Sequence, residues 1–177
     1  MSAIVLYKSL YGSTKQYAEW IAEELSCEVK KVKEVSLDDL LKYDTIILGG
    51  GLYAETIAGV SLITRNFDKL SSKKLIVFTT GITPVDRRDY YDKLVLQKNF
   101  KDERMLLSVK VFNFMGKMVV SELSLPHRTA LRGLKKLMAG KKNPTELEKM
   151  LIELCDVDGD FTDRSAISEL VEYAKKQ

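Results

Sequence analysis

The chain has 177 residues, 45% hydrophobic and 30% charged, which is the balance of one folded domain (1–177) with a sizeable core. Its 28 basic residues nearly match its 25 acidic ones, so the formal charge of +3 does not mark a nucleic-acid binder. No apolar run reaches the roughly eighteen residues of a membrane span, and Cys27, Cys155 and the lone His127 stand in no metal-ligand or catalytic spacing. A cytoplasmic protein with structural thiols and no metal is expected.

Short, β-branched apolar runs at residues 3–7, 45–49, 75–79 and 105–109 read as central strands buried on both faces. The weaker run 28–32 fits an edge strand. Between them lie helical patterns: 14–25, with Tyr17, Ala18, Ile21, Ala22 and Leu25 on one face; 58–70; and 87–98, with Tyr90, Tyr91, Leu94 and Val95. This alternation predicts a parallel sheet wound by right-handed crossovers. There is no internal repeat and no Gly/Ser linker.

The last third is more elaborate. The segment 112–118 follows the fourth apolar run, then an irregular stretch to Pro126, then helical patterns at 127–139 and 144–155. Asn143, Pro144 and Glu146 read as N-cap, first helical position and third position of the second of these. A final helix after Asp163 places Ile167, Leu170, Val171 and Ala174 on one face. The acidic stretch 156–160 resembles a calcium loop only superficially, since Gly159 is its fourth residue and Ile167 its twelfth. From 128 to 142 the charges are all positive: Arg128, Arg132, Lys135, Lys136, Lys141 and Lys142. Either this is a core-packed helix with a solvated basic side, or it docks an acidic redox partner, an anionic membrane or a carboxylate-bearing substrate.

In an open α/β sheet, ligands bind beyond the carboxyl ends of the strands. Three loops there carry chemistry. Ser9, Leu10, Tyr11, Gly12, Ser13 and Thr14 bring hydroxyls and a glycine to a helix N-terminus, which favours an anion. Ser13 and Gln16 also have capping-box spacing, so a well-capped turn without ligand stands beside the phosphate reading. After the third strand come Gly49, Gly50, Gly51, Leu52, Tyr53 and Ala54, with an aromatic able to stack on a flat ring; after the fourth come Thr80, Gly81, Ile82, Thr83 and Pro84.

Together these residues resemble the flavodoxin family. Ser9 to Thr14 stand where that family has its FMN phosphate loop, and residues 43–49 look like its third strand. The resemblance implies an α/β fold, a flavodoxin-like doubly wound sheet of five parallel strands in order 2-1-3-4-5, with FMN as cofactor. It implies phosphate contacts from Ser9, Tyr11, Gly12, Ser13 and Thr14, and a ring bordered by Gly50, Leu52, Tyr53, Thr80, Gly81 and Ile82. Lys8, Tyr11 and Ile82 depart from the family pattern. Residues 112–118 and the basic helix look like the branch that includes menaquinone-dependent protoporphyrinogen dehydrogenase. The implied function is electron transfer, as a carrier or as an oxidoreductase on a protoporphyrinogen-like or quinone-linked substrate. Its partners would be a redox protein or a quinone, with peripheral contact at an anionic inner-membrane face through 128–142. A phosphoacceptor receiver has the same strand order but needs carboxylates where this chain has Lys8, Ser9 and three glycines. A lipid- or nucleic-acid-binding module built on 128–142 is a further alternative.

Overall fold

The computed structural model describes residues 2–155 and 158–176. Strand β1 (Ala3–Lys8) leads to helix α1 (Ser13–Leu25), edge strand β2 (Glu28–Lys31), the short helix α2 (Leu37–Leu40) and β3 (Thr45–Tyr53). A two-residue strand, β4 (Thr56–Ile57), precedes the single-turn helices α3 (Ser61–Thr64) and α4 (Phe67–Leu70) and strand β5 (Lys74–Gly81). A π-helical segment (Asp89–Val95), α5 (Leu96–Asn99) and α6 (Glu103–Ser108) cross to β6 (Val109–Met115). The final third holds β7 (Lys117–Met118), α7 (Leu125–Ala139), α8 (Glu146–Leu154), β8 (Gly159–Asp160) and α9 (Ser168–Lys175).

The main sheet runs β2-β1-β3-β5-β6 with every neighbour on this path parallel. This is the expected order 2-1-3-4-5, with β4 added antiparallel to β3. Strand alternation divides the core in two. Ile4, Leu6, Ile46, Leu48, Leu75 and Val77 pack on one face against Leu40, Ile63, Phe67, Leu70, Tyr91 and Val95. Val5, Ile47, Ile76, Phe78 and Phe114 pack on the other against Tyr17, Ile21, Leu170 and Ala174, from α1 and α9. Both faces are covered, so the strands carry the continuous apolar runs seen in the sequence. Among the described residues no helix is long and apolar enough to cross a membrane.

Several elements differ from their sequence patterns. The apolar run 105–109 is mostly helix α6, capped by Asp102, whose carboxylate accepts the Arg104 N–H at 2.8 Å. The fifth strand begins only at Val109, which pairs in register with Leu75. Leu107 is 88% exposed, so that run was not selected by burial. The helix expected over 58–70 breaks into α3 and α4 at Asn66, whose side-chain amide donates to Leu62 O at 2.8 Å and competes for the backbone. The cap of α8 is Thr145, in a capping box with Glu148, not Asn143. Within the acidic stretch 156–160, Asp156 and Val157 lie outside the described residues.

The glycine-rich segment after residue 48 is strand, not loop. β3 continues to Tyr53 and turns into β4 through Ala54 and Glu55, both with positive φ (45° and 58°), as a two-residue hairpin demands. Neither residue favours that region, and the turn is held from α5. Asn99 donates to Glu55 O at 2.6 Å and accepts the Ile57 N–H at 2.9 Å, while Lys98 pairs with Glu55 at 3.2 Å.

Candidate functional site

Strands β1, β3, β5 and β6 end at one rim, and their side chains meet there. The N-cap of α1 is Gly12, not Ser13, with φ +98°. An L side chain rarely adopts that angle, so glycine sets the approach to the helix. No side chain caps α1. Its first amides, from Ser13 onward, have no intrahelical acceptor and face the rim with the positive end of the helix dipole.

The hydroxyls of this loop are unequal. Ser9 Oγ accepts the Gly12 N–H at 3.0 Å, and Ser13 Oγ accepts the Lys117 N–H at 2.9 Å. Each keeps its own proton to donate. Thr14 Oγ1 lies 2.7 Å from Thr80 Oγ1, joining the first loop to the end of β5. Tyr11 is drawn elsewhere: its hydroxyl is 2.5 Å from His127 Nδ1 and accepts the Ser124 N–H at 3.4 Å. Leu10 is 60% exposed.

The other two loops complete the rim. Gly50 sits where a Cβ would lie 2.4 Å from Ala58 O, so its bareness lets the β3–β4 hairpin fold back. A Cβ on Gly51 would stand 3.0 Å from the Tyr53 ring, which folds across that strand end. Leu52 lies over Gly81, whose carbonyl accepts the Gly116 N–H at 2.7 Å. Ile82 is half-buried just beyond β5. Tyr17 fastens the far side, donating to Met115 O at 2.9 Å and accepting the Asp163 N–H at 3.0 Å. Burial raises its pKa. Burial and the neighbouring Tyr11 push Tyr53 up to about 12, against a backbone hydrogen bond at Leu10.

One site residue was not found from the sequence. His127, in the first turn of α7, stacks on Tyr53 with ring centroids 5.5 Å apart and planes 20° apart, and meets Tyr11 edge-on at 5.7 Å. The sequence marks it only as a solvated or helix-starting histidine, and the second holds, because nothing local links residue 127 to residues 11 and 53. The only sequence signal was its place at the head of an amphipathic helix.

The arrangement suits a phosphorylated planar ligand. Between Ser9 and Thr14 the donors are amides and hydroxyls with no carboxylate to repel an anion, and Leu52 and Tyr53 offer apolar and aromatic surface beside them. Fold and rim together define a doubly wound α/β protein with a candidate ligand site at the carboxyl ends of its strands.

A family model of the flavodoxin domain matches residues 4–146, and the chain belongs to that family. A flavodoxin domain implies a flavin cofactor and electron transfer. The uncharacterized protein MJ0298 of Methanocaldococcus jannaschii is 31% identical over 119 residues, covering 66% of this chain and 72% of that protein. Among solved structures, a flavodoxin, WrbA-like protein from Agrobacterium tumefaciens aligns with TM-score 0.49 and 16% identity over 98% of this chain and 99% of that one. A flavodoxin from the domain Archaea aligns with TM-score 0.43 and 17% identity, over 88% of this chain and 97% of that one.

Proposed function

We propose that this chain binds FMN and transfers electrons through it. The observation that carries the reading is the uncapped N-terminus of α1, flanked by the spare hydroxyl protons of Ser9 and Ser13 and set beside Tyr53. In this reading the amides of Ser13 and Thr14 and the two serine hydroxyls hold the phosphate. Leu52, Tyr53, Gly81 and Ile82 border the ring and exclude water from it. Bound flavin supplies reversible uptake of one or two electrons. Tyr53 keeps its proton throughout the physiological range, so the wall beside the ring is uncharged.

Titrating the flavin-free protein with FMN tests this directly. Saturable quenching of flavin fluorescence, with one FMN per chain and a structured visible spectrum, is expected. A protein that leaves FMN fluorescence unchanged is not a flavoprotein.

The outer side of α7 supports peripheral contact with an anionic membrane. Leu134 and Leu137 are 48% and 73% exposed, and Arg132 and Lys136 lie exposed on the same helix. The same helix favours a second reading, an oxidoreductase on a protoporphyrinogen-like or quinone-linked substrate, because its first turn roofs the rim through His127. Anaerobic oxidation of a protoporphyrinogen with a quinone as acceptor separates enzyme from carrier.

A further inference from the structure

Among the features of this chain that the phosphate and ring contacts leave unused, the most tightly specified is the cluster of Tyr11, Tyr53 and His127. Its members come from three separate elements: the loop after β1, the end of β3 and the start of α7. The hydroxyl of Tyr11 accepts the Ser124 N–H at 3.4 Å, and of the two acceptors for its own proton, Ser124 Oγ at 3.5 Å and His127 Nδ1 at 2.5 Å, the much closer imidazole takes it. A neutral imidazole then carries its hydrogen on Nε2. The stack on Tyr53 sets the ring plane, and the Tyr11 bond sets its rotation. Two independent contacts thus fix one side chain at the rim, where helix α7 otherwise packs mainly along α8.

We propose that His127 belongs to the flavin site as a ring-positioning residue. It presents a fixed Nε2–H donor and an imidazole edge beside Tyr53, and Tyr11 holds it there. The cluster makes no phosphate contact in this assignment; Tyr11 serves the ring through His127. The inference rests on the flavin reading and goes beyond it, since α7 lies outside all three loops from which that reading was drawn.

A histidine acting on the ring and not on the phosphate has a signature in ligand pairs. FMN and riboflavin share the ring system and differ by the phosphate. His127→Ala should weaken both by the same factor, about tenfold for the loss of one hydrogen bond and one ring contact. Ser13→Ala should weaken FMN alone. His127→Gln, which keeps an N–H donor, should recover much of the affinity, and Tyr11→Phe should show a smaller version of the alanine effect. The midpoint potential and visible band positions of the FMN-loaded protein should also move in His127→Ala and return towards wild type in His127→Gln, which a merely structural loss in α7 would not produce.

Unchanged FMN and riboflavin affinities, with unchanged potential and spectrum, in His127→Ala would overturn the inference while leaving the flavin reading intact. Tighter binding by His127→Ala would overturn it in another way, by showing that the imidazole competes with the flavin for the face of Tyr53. Failure of the wild-type protein to bind either flavin would bring down both readings together.

Discussion

Thr14 and Thr80 share a hydrogen bond across the rim: their Oγ1 atoms are 2.7 Å apart, and both side chains are buried. One belongs to the first turn of α1, the other to the end of β5. The pair links the start of α1 to the end of β5 in a place where water cannot substitute for a lost partner. Thr14→Val leaves the Thr80 hydroxyl buried and unpaired and should cost about 1–3 kcal/mol. The double variant Thr14→Val with Thr80→Val should recover much of that loss, because no polar atom is then orphaned. Urea unfolding of all four proteins measures the coupling. Additive losses would show that the bond contributes nothing.

Gly50 and Gly81 should differ sharply in their tolerance of alanine. A Cβ on Gly50 would lie 2.4 Å from the backbone oxygen of Ala58, which cannot swing aside without shifting the hairpin. At Gly81 the nearest atom would be Leu52 Cδ1 at 3.5 Å, an ordinary contact. Gly50→Ala is therefore expected to destabilise by about 1–3 kcal/mol, and Gly81→Ala by well under 1 kcal/mol. Thermal unfolding of the flavin-free proteins tests the contrast. Equal melting temperatures would contradict it.

Tyr53 predicts an alkaline limit. Its pKa is pushed up to about 12 from an ordinary 10.0 by burial and by Tyr11. As pH rises, the unfolded chain releases this proton first, the native state binds more protons, and stability falls. The contribution is fully present below pH 10 and is lost between 10 and about 12. Burial shifts Tyr17 and Tyr91 in the same direction, so Tyr53→Phe should flatten only part of the decline. Urea midpoints measured across this range check it. An identical slope in the variant would rule the assignment out.

The exposed side of α7 predicts salt-sensitive association with lipid. Each cation near an anionic surface is worth about 1 kcal/mol, so Arg132→Glu with Lys136→Glu should weaken binding to phosphatidylserine vesicles by well over tenfold at low salt. Leu134→Ser with Leu137→Ser should weaken it further by removing the inserted apolar surface. Sedimentation with vesicles tests both. Wild-type protein that stays in the supernatant at every salt concentration excludes the membrane contact.

The alternating strands and helices were legible because burial on both faces imposes a continuous apolar run, as in residues 46–48 and 75–78. The hydroxyl-and-glycine loop at 9–14 was legible for a similar local reason, since a βα turn approaching an anion needs small donors and a residue able to take positive φ. Where the reading failed, competing local patterns looked alike. Leu106 and Leu107 resemble a buried strand but lie exposed on α6, and the register of Val109 with Leu75 sets the start of the fifth strand. Asn143 and Thr145 are both plausible caps, and Glu148 decides for Thr145.

By itself, then, the sequence determined the winding of the sheet and the placing of an anion-friendly loop at a helix start, because both follow from near-neighbour periodicity and turn chemistry. Tertiary structure decided which hydroxyls remain available there. Ser13 is turned towards Lys117, Thr14 towards Thr80, and Tyr11 towards a histidine 116 positions away. Such pairings are set by how the layers close over one another, and no local pattern along the chain encodes the distance between two loops.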